Sequence, residues 1–264
     1  MHNKMVLEVN NVSFAYKDGK TCINVLNDIN LSINEQEFVC FLGPSGCGKS
    51  TLLNLIAGFI KPVSGIVKMD GENITKPDWK IGVVFQNPAL YPWLNVRQNV
   101  EFGLKARKIN KKEINKLSST YLDEVGLSDF SKSKPYELSG GMRQRVSFAR
   151  VLVNHPRLVL LDEPFSALDA FTRVGMQNFT RDIWKNSKST FAMVTHDVDE
   201  ALSLGTRIVV ISRRPGQIIA NKNVNFTNSF EKNSLTNVQS SDEYINLKRE
   251  ILEMIYTEAN ESIK

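Results

Sequence analysis

Two apolar patterns divide the chain. Over residues 5–37, apolar and polar residues alternate, as at Val12, Phe14 and Tyr16, with the period of strands that bury one face. Later runs are apolar at nearly every position: Phe38–Leu42, Ile81–Phe85, Leu158–Leu161, Phe191–Val194 and Arg207–Ile211. Such runs favour strands buried on both faces, as in a parallel sheet covered by helices.

Between residues 87 and 153 the apolar period becomes helical. Apolar residues recur there at helical spacing: Ile114, Leu117, Tyr121 and Val125. Because this block interrupts the alternation of strands and helices, we predict an inserted helical subdomain at 87–153, inside a larger domain that spans 1–220.

Residues 221–264 are predicted to form a separate C-terminal part. Residues 221–240 are rich in Asn and Ser with scattered charge, which is typical of a linker or a loosely ordered loop. Apolar residues then recur at helical spacing: Tyr244, Leu247, Ile251 and Ile255. We expect this amphipathic helix to pack back onto the protein, and a regulatory or partner contact is the alternative.

Composition and charge exclude several classes of protein. The 264 residues are 42% hydrophobic and 23% charged, which is typical of a globular protein with a large core. No apolar run reaches the length of a membrane span, and the N-terminus lacks the apolar stretch of a signal peptide. The net charge of +5 is scattered along the chain, so nucleic acid is not an expected partner. Three cysteines without metal-ligand spacing suit a reducing compartment, so we expect a cytosolic protein unless a partner holds it at a membrane.

A glycine-rich segment follows the first continuous apolar run. It comprises Gly43, Pro44, Ser45, Gly46, Cys47, Gly48, Lys49, Ser50 and Thr51. A strand before it and a predicted helix after it supply the context in which Gly-x-x-x-x-Gly-Lys-Ser binds phosphate. The glycines allow backbone N–H groups to surround an anion, Lys49 adds positive charge, and the Ser50 hydroxyl can ligate magnesium. We therefore predict a nucleotide phosphate site, and the thiol of Cys47 within it suggests inhibition by thiol reagents.

Two adjacent carboxylates, Asp162 and Glu163, follow the apolar run at 158–161. Strand alternation would point their side chains in different directions, which permits two roles. Asp162 can then hold magnesium, and Glu163 can polarise an attacking water. Asp169 follows in the predicted first turn of the next helix, where the helix dipole favours an anion.

Three other segments carry weaker signals. Gln86 ends an apolar run, either where open α/β sheets bind ligands or as a polar strand cap. Ser139, Gly140 and Gly141 open a predicted helix, either as an anion cradle or as a structural cap. His196 ends another apolar run, where its ring could hydrogen-bond a terminal phosphate oxygen.

Together these segments resemble the ATPase subunit of an ABC transporter. They match, in order, that family's Walker A segment (43–51), glutamine loop (Gln86), Leu-Ser-Gly-Gly signature (138–141), Walker B strand (158–163) and switch histidine (His196). The resemblance implies an α/β fold in which a RecA-like P-loop NTPase core carries an antiparallel β subdomain and an inserted α-helical subdomain.

The resemblance also implies roles for single residues toward ATP and Mg²⁺. Tyr16, an ordinary strand aromatic on the residues alone, would stack on adenine. Glu163 would be the general base, and His196 would contact the γ-phosphate. Gln86 would link the magnesium ion and the water to a membrane partner. Besides Gln86, the expected magnesium ligands are Ser50 and Asp162, and Asp169 is expected among the nucleotide-binding residues.

The family signature acts in trans, so the resemblance implies a homodimer. Ser139, Gly140 and Gly141 of one subunit would close over the ATP held by Lys49 of the other. Because the chain carries one phosphate loop and one signature, two copies are needed for complete sites. We expect a head-to-tail dimer that forms on ATP and separates after hydrolysis.

A finer resemblance points to the importer branch for nitrate, sulfonate and taurine. It rests on Ala89–Val96, with Pro92-Trp93, and on Ser212–Gly216. That branch implies two membrane permease subunits, an external solute-binding protein and a place at the cytoplasmic face of the cell membrane. The Pro92-Trp93 loop would then lie at the permease surface. The alternatives are an importer for a pyrimidine vitamin precursor, an exporter ATPase and a soluble ABC-type ATPase.

Overall fold

The computed structural model describes residues 4–19, 21–227 and 238–260. The chain forms two compact units, one of residues 1–77 and 180–264 and one of residues 78–179. The predicted helical subdomain at 87–153 falls within the second unit, while the predicted domain boundary at 220 stays a prediction. Among the described residues, no helix is both long and apolar enough to cross a membrane.

The first unit contains an antiparallel sheet in the order β2-β1-β4-β5. Its strands are β1 (Met5–Asp18), β2 (Thr21–Asn34), β4 (Ser64–Met69) and β5 (Glu72–Asn73). Val12 of β1 pairs with Ile29 of β2, and both side chains are buried. The alternating pattern therefore forms the one-sided strands that it predicts, because every second side chain faces the core.

The same unit contains a second set of strands in the order β10-β9-β3-β8. They are β3 (Phe38–Leu42), β8 (Thr190–Val194), β9 (Arg207–Ile211) and β10 (Ile218–Asn223). β3 runs parallel to β8 and β9, and all five of its residues are buried. The continuous apolar runs form parallel strands as predicted, since both faces of such strands are covered.

The helices of the first unit follow from the same patterns. They are α1 (Lys49–Ile56), α6 (Val198–Leu204) and α7 (Asp242–Asn260). The apolar residues of α1 are buried, and Gly58 follows its end with a φ of 73°, as the predicted stop requires. Tyr244 and Ile251 of α7 are buried as well, and α7 packs on α6 and β9.

The predicted linker is wrong at its start. Residues 221–223 belong to β10, which pairs antiparallel with β9. Val224 then donates its N–H to the carbonyl of Thr206, and Val224 and Phe226 are buried. These apolar side chains stabilise the segment by burial, which its Asn- and Ser-rich composition does not reveal. Residues 228–237 of the predicted linker lie outside the described residues.

The second unit contains two parallel strands and three helices. They are β6 (Ile81–Val84), β7 (Leu158–Asp162), α2 (Val96–Ala106), α3 (Lys111–Glu124) and α4 (Gly140–Leu152). The apolar core of the helices includes Ile114 and Val125 of the predicted stripe. A further helix, α5 (Ala170–Asn186), has residues in both of the residue ranges given above.

Candidate functional site

The phosphate loop joins the end of β3 to the start of α1. Gly43 and Gly48 adopt φ values of 155° and 106°, which L side chains rarely reach. A Cβ at Gly43 would lie 2.4 Å from the Ile211 carbonyl oxygen, and one at Gly48 would lie 2.7 Å from Cδ2 of Leu26. Both positions therefore require glycine for conformation and for space. The loop is held between β9 on one side and β2 on the other.

Lys49 is the first residue of α1 and is buried. Its Nζ donates to the carbonyl oxygens of Gly43 at 2.8 Å and Pro44 at 2.9 Å. The ammonium group thus lies over the loop, next to the helix N-terminus with its partial positive charge. The arrangement combines a positive charge with backbone N–H donors, which is the chemistry that polyphosphate binding requires. Ser50 is exposed and Thr51 is buried in the first turn of the same helix.

Cys47 lies inside the loop with its thiol almost completely buried. Burial raises the pKa of this thiol, and the Lys49 ammonium, 3.7 Å from Sγ, opposes the rise without reversing it. The thiolate is therefore scarce near neutral pH, although the sequence places a cysteine where a reagent could block the site.

We expect slow reaction of Cys47 with thiol reagents. At pH 8, iodoacetamide should modify exposed Cys22 first and Cys47 about tenfold more slowly, because the reagent needs an accessible thiolate. Peptide mass spectrometry over time measures both rates in one sample. A Cys22→Ser variant is the matched control, because the fast phase of iodoacetamide modification should be absent from it. Modification of Cys47 at the rate of Cys22 would contradict the assigned burial.

Two other predicted residues of the first unit are exposed. Tyr16 lies near the β1–β2 turn, 47% exposed, with its ring edge-to-face against Phe14 at 4.8 Å between centroids. His196 follows β8 directly. The residue before it is fixed, because the Thr195 hydroxyl donates to the Glu200 carboxylate at 2.6 Å and accepts from the Asp197 N–H. The backbone thus holds His196 at the strand end, where the residue is exposed.

The two carboxylates differ in backbone conformation. Asp162 is the last residue of β7, whereas Glu163 lies beyond the strand with a φ of 43°. The expectation that strand alternation separates them is therefore wrong, because the left-handed backbone at Glu163 changes the chain direction. A non-glycine residue in this region carries a strain of about 1–3 kcal/mol that the surrounding structure must offset.

Ser166 connects Gln86 to the glutamate. Gln86 donates from Nε2 to the Ser166 hydroxyl at 3.0 Å, and that hydroxyl donates to the Glu163 carbonyl at 3.0 Å. Two predicted residues that are far apart in sequence are thereby brought together. The sequence reasoning missed Ser166, although its position three residues after Glu163 was a usable signal.

Two predicted nucleotide-binding segments act as helix caps in the second unit. Ser139 precedes α4 and accepts the Met142 N–H at 3.3 Å, which is the structural alternative stated above. Asp169 accepts the Thr172 N–H at 3.0 Å, and hydrogen bonds from the Thr172 side chain and from this N–H lower the pKa of its carboxyl. Because α5 begins at Ala170, placing Asp169 in its first turn was wrong, and Asp169 caps the helix instead.

An aromatic cluster lies on the segment that leads into α2. The ring of Tyr91 contacts Trp93 and Phe102, with centroids 5.5 and 4.5 Å away. Arg150 donates to the Ala89 carbonyl at 2.5 Å, and its guanidinium lies 5.7 Å from the Tyr91 ring. Trp93 is nevertheless 68% exposed, so a large apolar side chain faces outward from a fixed segment.

Comparison with known proteins agrees with this geometry. Residues 26–166 match the family described as ABC transporter. The chain is 43% identical to the nitrate import ATP-binding protein NrtD of Synechocystis, over 98% of this chain and 99% of that protein. It is 42% identical to the taurine import ATP-binding protein TauB of Pelagibacter ubique, over 93% of this chain and 92% of that protein.

Two solved structures are also similar to this chain. The ATP-binding cassette MJ0796, in a dimeric post-hydrolysis state with ADP and Pi, has a TM-score of 0.73 and 34% identity over 83% of this chain and 99% of its own. The cbiO1 subunit of Clostridium perfringens has a TM-score of 0.75 and 30% identity over 94% of this chain and 100% of its own. The fold is therefore that of an ABC ATPase cassette, as predicted. With a family match over more than half of its length, the chain belongs to the ABC transporter family and is an ATP-binding, ATP-hydrolysing subunit.

Proposed function

We propose that this ATPase drives the import of a small anion such as nitrate, a sulfonate or taurine. The observation that carries the proposal is the near-complete alignment with import ATP-binding proteins named for nitrate and taurine. The phosphate loop, with buried Lys49 over it, supports the energy-coupling part. An importer for a pyrimidine vitamin precursor is the second candidate, since related members of the resembled branch carry such solutes.

In the proposed binding step, Lys49 exchanges loop carbonyls for phosphate oxygens. Its ammonium has hydrogen-bond partners at 2.8 and 2.9 Å within the loop, so moving to an anion keeps its charge compensated. Backbone N–H groups of the loop and the N-terminus of α1 add further donors. Tyr16, exposed near the β1–β2 turn, would stack on adenine.

In the proposed hydrolysis step, Glu163 accepts the proton of the attacking water. Gln86 orients that water, and His196 donates a hydrogen bond to the terminal phosphate. The left-handed backbone at Glu163 and the link from its carbonyl through Ser166 to Gln86 fix the main chain that carries the base, which favours in-line attack.

The residues proposed to hold Mg²⁺ are Ser50, Asp162 and Gln86. Their hydroxyl, carboxylate and amide oxygens form the hard donor set that this ion prefers. Gln86 uses its amide nitrogen toward Ser166, which leaves its Oε1 as the acceptor end. When bound, the ion neutralises charge on the phosphates during transfer.

We propose that two copies assemble head to tail around ATP. Each chain contributes a single phosphate loop and a single signature, so Ser139, Gly140 and Gly141 would close over the nucleotide of the other copy. The cap at Ser139 fixes the start of α4, whose N–H groups could then face an anion. Asp169, next to α5, would lie near the same nucleotide. The dimeric state of MJ0796 supports this assembly.

The aromatic cluster is the proposed permease-docking surface of each copy, and the complete importer would contain two permease subunits. Trp93 is largely exposed while Tyr91 and Arg150 fix the segment beneath it, a combination that is common at protein interfaces. The permeases would hold the chain at the cytoplasmic face of the membrane. An external solute-binding protein would complete the importer.

The test is solute uptake in the source cells after deletion of this chain. We expect loss of uptake of one labelled anion among nitrate, taurine and an alkanesulfonate, with restoration by the wild-type chain. A chain carrying Glu163→Gln is the matched control and should not restore uptake, since it lacks the proposed base. Loss of pyrimidine-precursor uptake alone would establish the second candidate. Normal uptake of every solute would contradict import.

A further inference from the structure

The turn at residues 212–216, between β9 and β10, contacts the phosphate loop. Arg214 donates to the Gly46 carbonyl from Nη2 at 3.1 Å and from Nε at 3.3 Å. Two donors of one planar guanidinium thus converge on a single carbonyl of the loop. The two residues are 168 positions apart in sequence.

Backbone packing brings the turn and the loop together at a second point. A Cβ on Gly216 would lie only 2.3 Å from the Cys47 carbonyl oxygen, so the two backbones touch. Gly43, at the start of the loop, approaches Ile211 at the end of β9 in the same way. The contact between Arg214 and Gly46 therefore lies on an extended backbone interface.

The turn itself is held in place from three sides. Gly216 donates its N–H to the Val25 carbonyl at 2.8 Å and accepts from the Asn27 N–H at 3.0 Å. Within the turn, Ser212 donates its N–H to the Gln217 carbonyl at 2.8 Å. The backbone N–H of Arg213 donates to the Glu258 carboxylate of α7 at 3.0 Å. Because the turn is anchored to β2 and α7, its side chains can hold the phosphate loop in position.

We propose that Arg214 is a positioning residue for the phosphate loop. A loop that binds an anion through its N–H groups must direct its carbonyls away from that anion. Arg214 holds the Gly46 carbonyl in such a direction and compensates its partial negative charge. Gly46 has a φ of 76°, and because glycine lacks a Cβ its backbone can readily adopt other conformations, so a contact from outside the loop is needed to restrict it. This inference rests on the proposed role of the loop in phosphate binding.

The experiment measures ATP binding by Arg214→Ala. Displacement of a fluorescent, non-hydrolysable ATP analogue by ATP gives the dissociation constant. We expect that constant to rise about fivefold with kcat changed less than about twofold, because the lost contact orders the loop before chemistry. Arg214→Lys, which keeps the charge but has one donor nitrogen in place of two, should show an intermediate rise. The thermal midpoint of Arg214→Ala without nucleotide shows whether that variant folds. If it folds poorly, the affinity of Arg214→Lys provides the test.

Arg213→Ala is the matched control. It removes the same charge one position away, while the contact with Glu258 is made by the backbone and remains. We expect its ATP affinity to stay within about twofold of the wild type, since screened charge alone contributes little at the surface. Equal losses in both arginine variants, or no loss in Arg214→Ala, would overturn the inference. Lys49→Ala distinguishes a failure of the Arg214 inference from a failure of the proposed function. If Lys49→Ala also leaves ATP affinity unchanged, the proposed role of the loop in nucleotide binding is wrong.

Discussion

Replacing Glu163 with glutamine should abolish ATP turnover while ATP binding persists. The amide preserves the size and the backbone of the side chain but cannot accept the proton of the attacking water. General-base catalysis contributes about 10²–10⁴-fold, so kcat should fall by about that factor. Phosphate release under saturating ATP measures the loss. The dissociation constant for ATP should change little, because Glu163 is not proposed to contact the phosphates in the bound state.

The same variant should accumulate the proposed dimer. If two copies close over ATP and separate only after hydrolysis, Glu163→Gln with ATP should elute from a sizing column at twice the mass of the protein without nucleotide. Glu124→Gln, which alters an exposed carboxylate of the second unit, is the matched control and should turn over normally. A Glu163→Gln variant that hydrolyses ATP at the wild-type rate would contradict its role. One that stays monomeric with ATP would contradict ATP-driven closure of the isolated subunit.

Replacing Lys49 with alanine should weaken ATP binding more than any other single change in the loop. The variant loses a buried ammonium group that would make charge-assisted hydrogen bonds to phosphate oxygens. Such bonds contribute about 1.5–3 kcal/mol, which corresponds to a dissociation constant about tenfold to a hundredfold higher. Displacement of a fluorescent ATP analogue measures it, and turnover at low ATP should fall in parallel.

An exposed lysine serves as the control for Lys49. Lys61→Ala removes the same charge from the surface of the same unit and should leave ATP affinity within about twofold. Thermal unfolding without nucleotide must also be recorded, because Lys49 donates to the carbonyls of Gly43 and Pro44 in the loop. Unchanged ATP affinity in a folded Lys49→Ala variant would refute the assignment of the phosphate site.

Local patterns predicted most of the architecture. The alternation around Val12 and the continuous run Phe38–Leu42 produce one-sided and two-sided strands, because burial acts on side chains at fixed backbone periods. The Asn- and Ser-rich stretch misled the prediction at residues 221–227. Its few apolar residues, Val224 and Phe226, find a buried environment that composition does not encode.

Local patterns were weaker at the candidate site. They identified Glu163 and Asp169 as residues of interest. They wrongly placed Glu163 in a strand and Asp169 in the first turn of a helix. The left-handed φ at Glu163 depends on how the chain leaves β7, and the capping position of Asp169 depends on where α5 begins. The end of a helix depends on the hydrogen bonds of single residues. The spacing of apolar residues therefore does not reveal whether the helix begins one residue earlier or later.

The sequence by itself determined the family, the position of the glycine-rich loop and the order of the strands along the chain. Each of these depends on neighbouring residues, through glycine conformation, helix polarity and side-chain period. The tertiary structure alone decided that Ser166 joins Gln86 to Glu163 and that Arg214 holds the Gly46 carbonyl. Those contacts join segments that are distant in sequence, and they form because the order of packed strands brings such segments together in space.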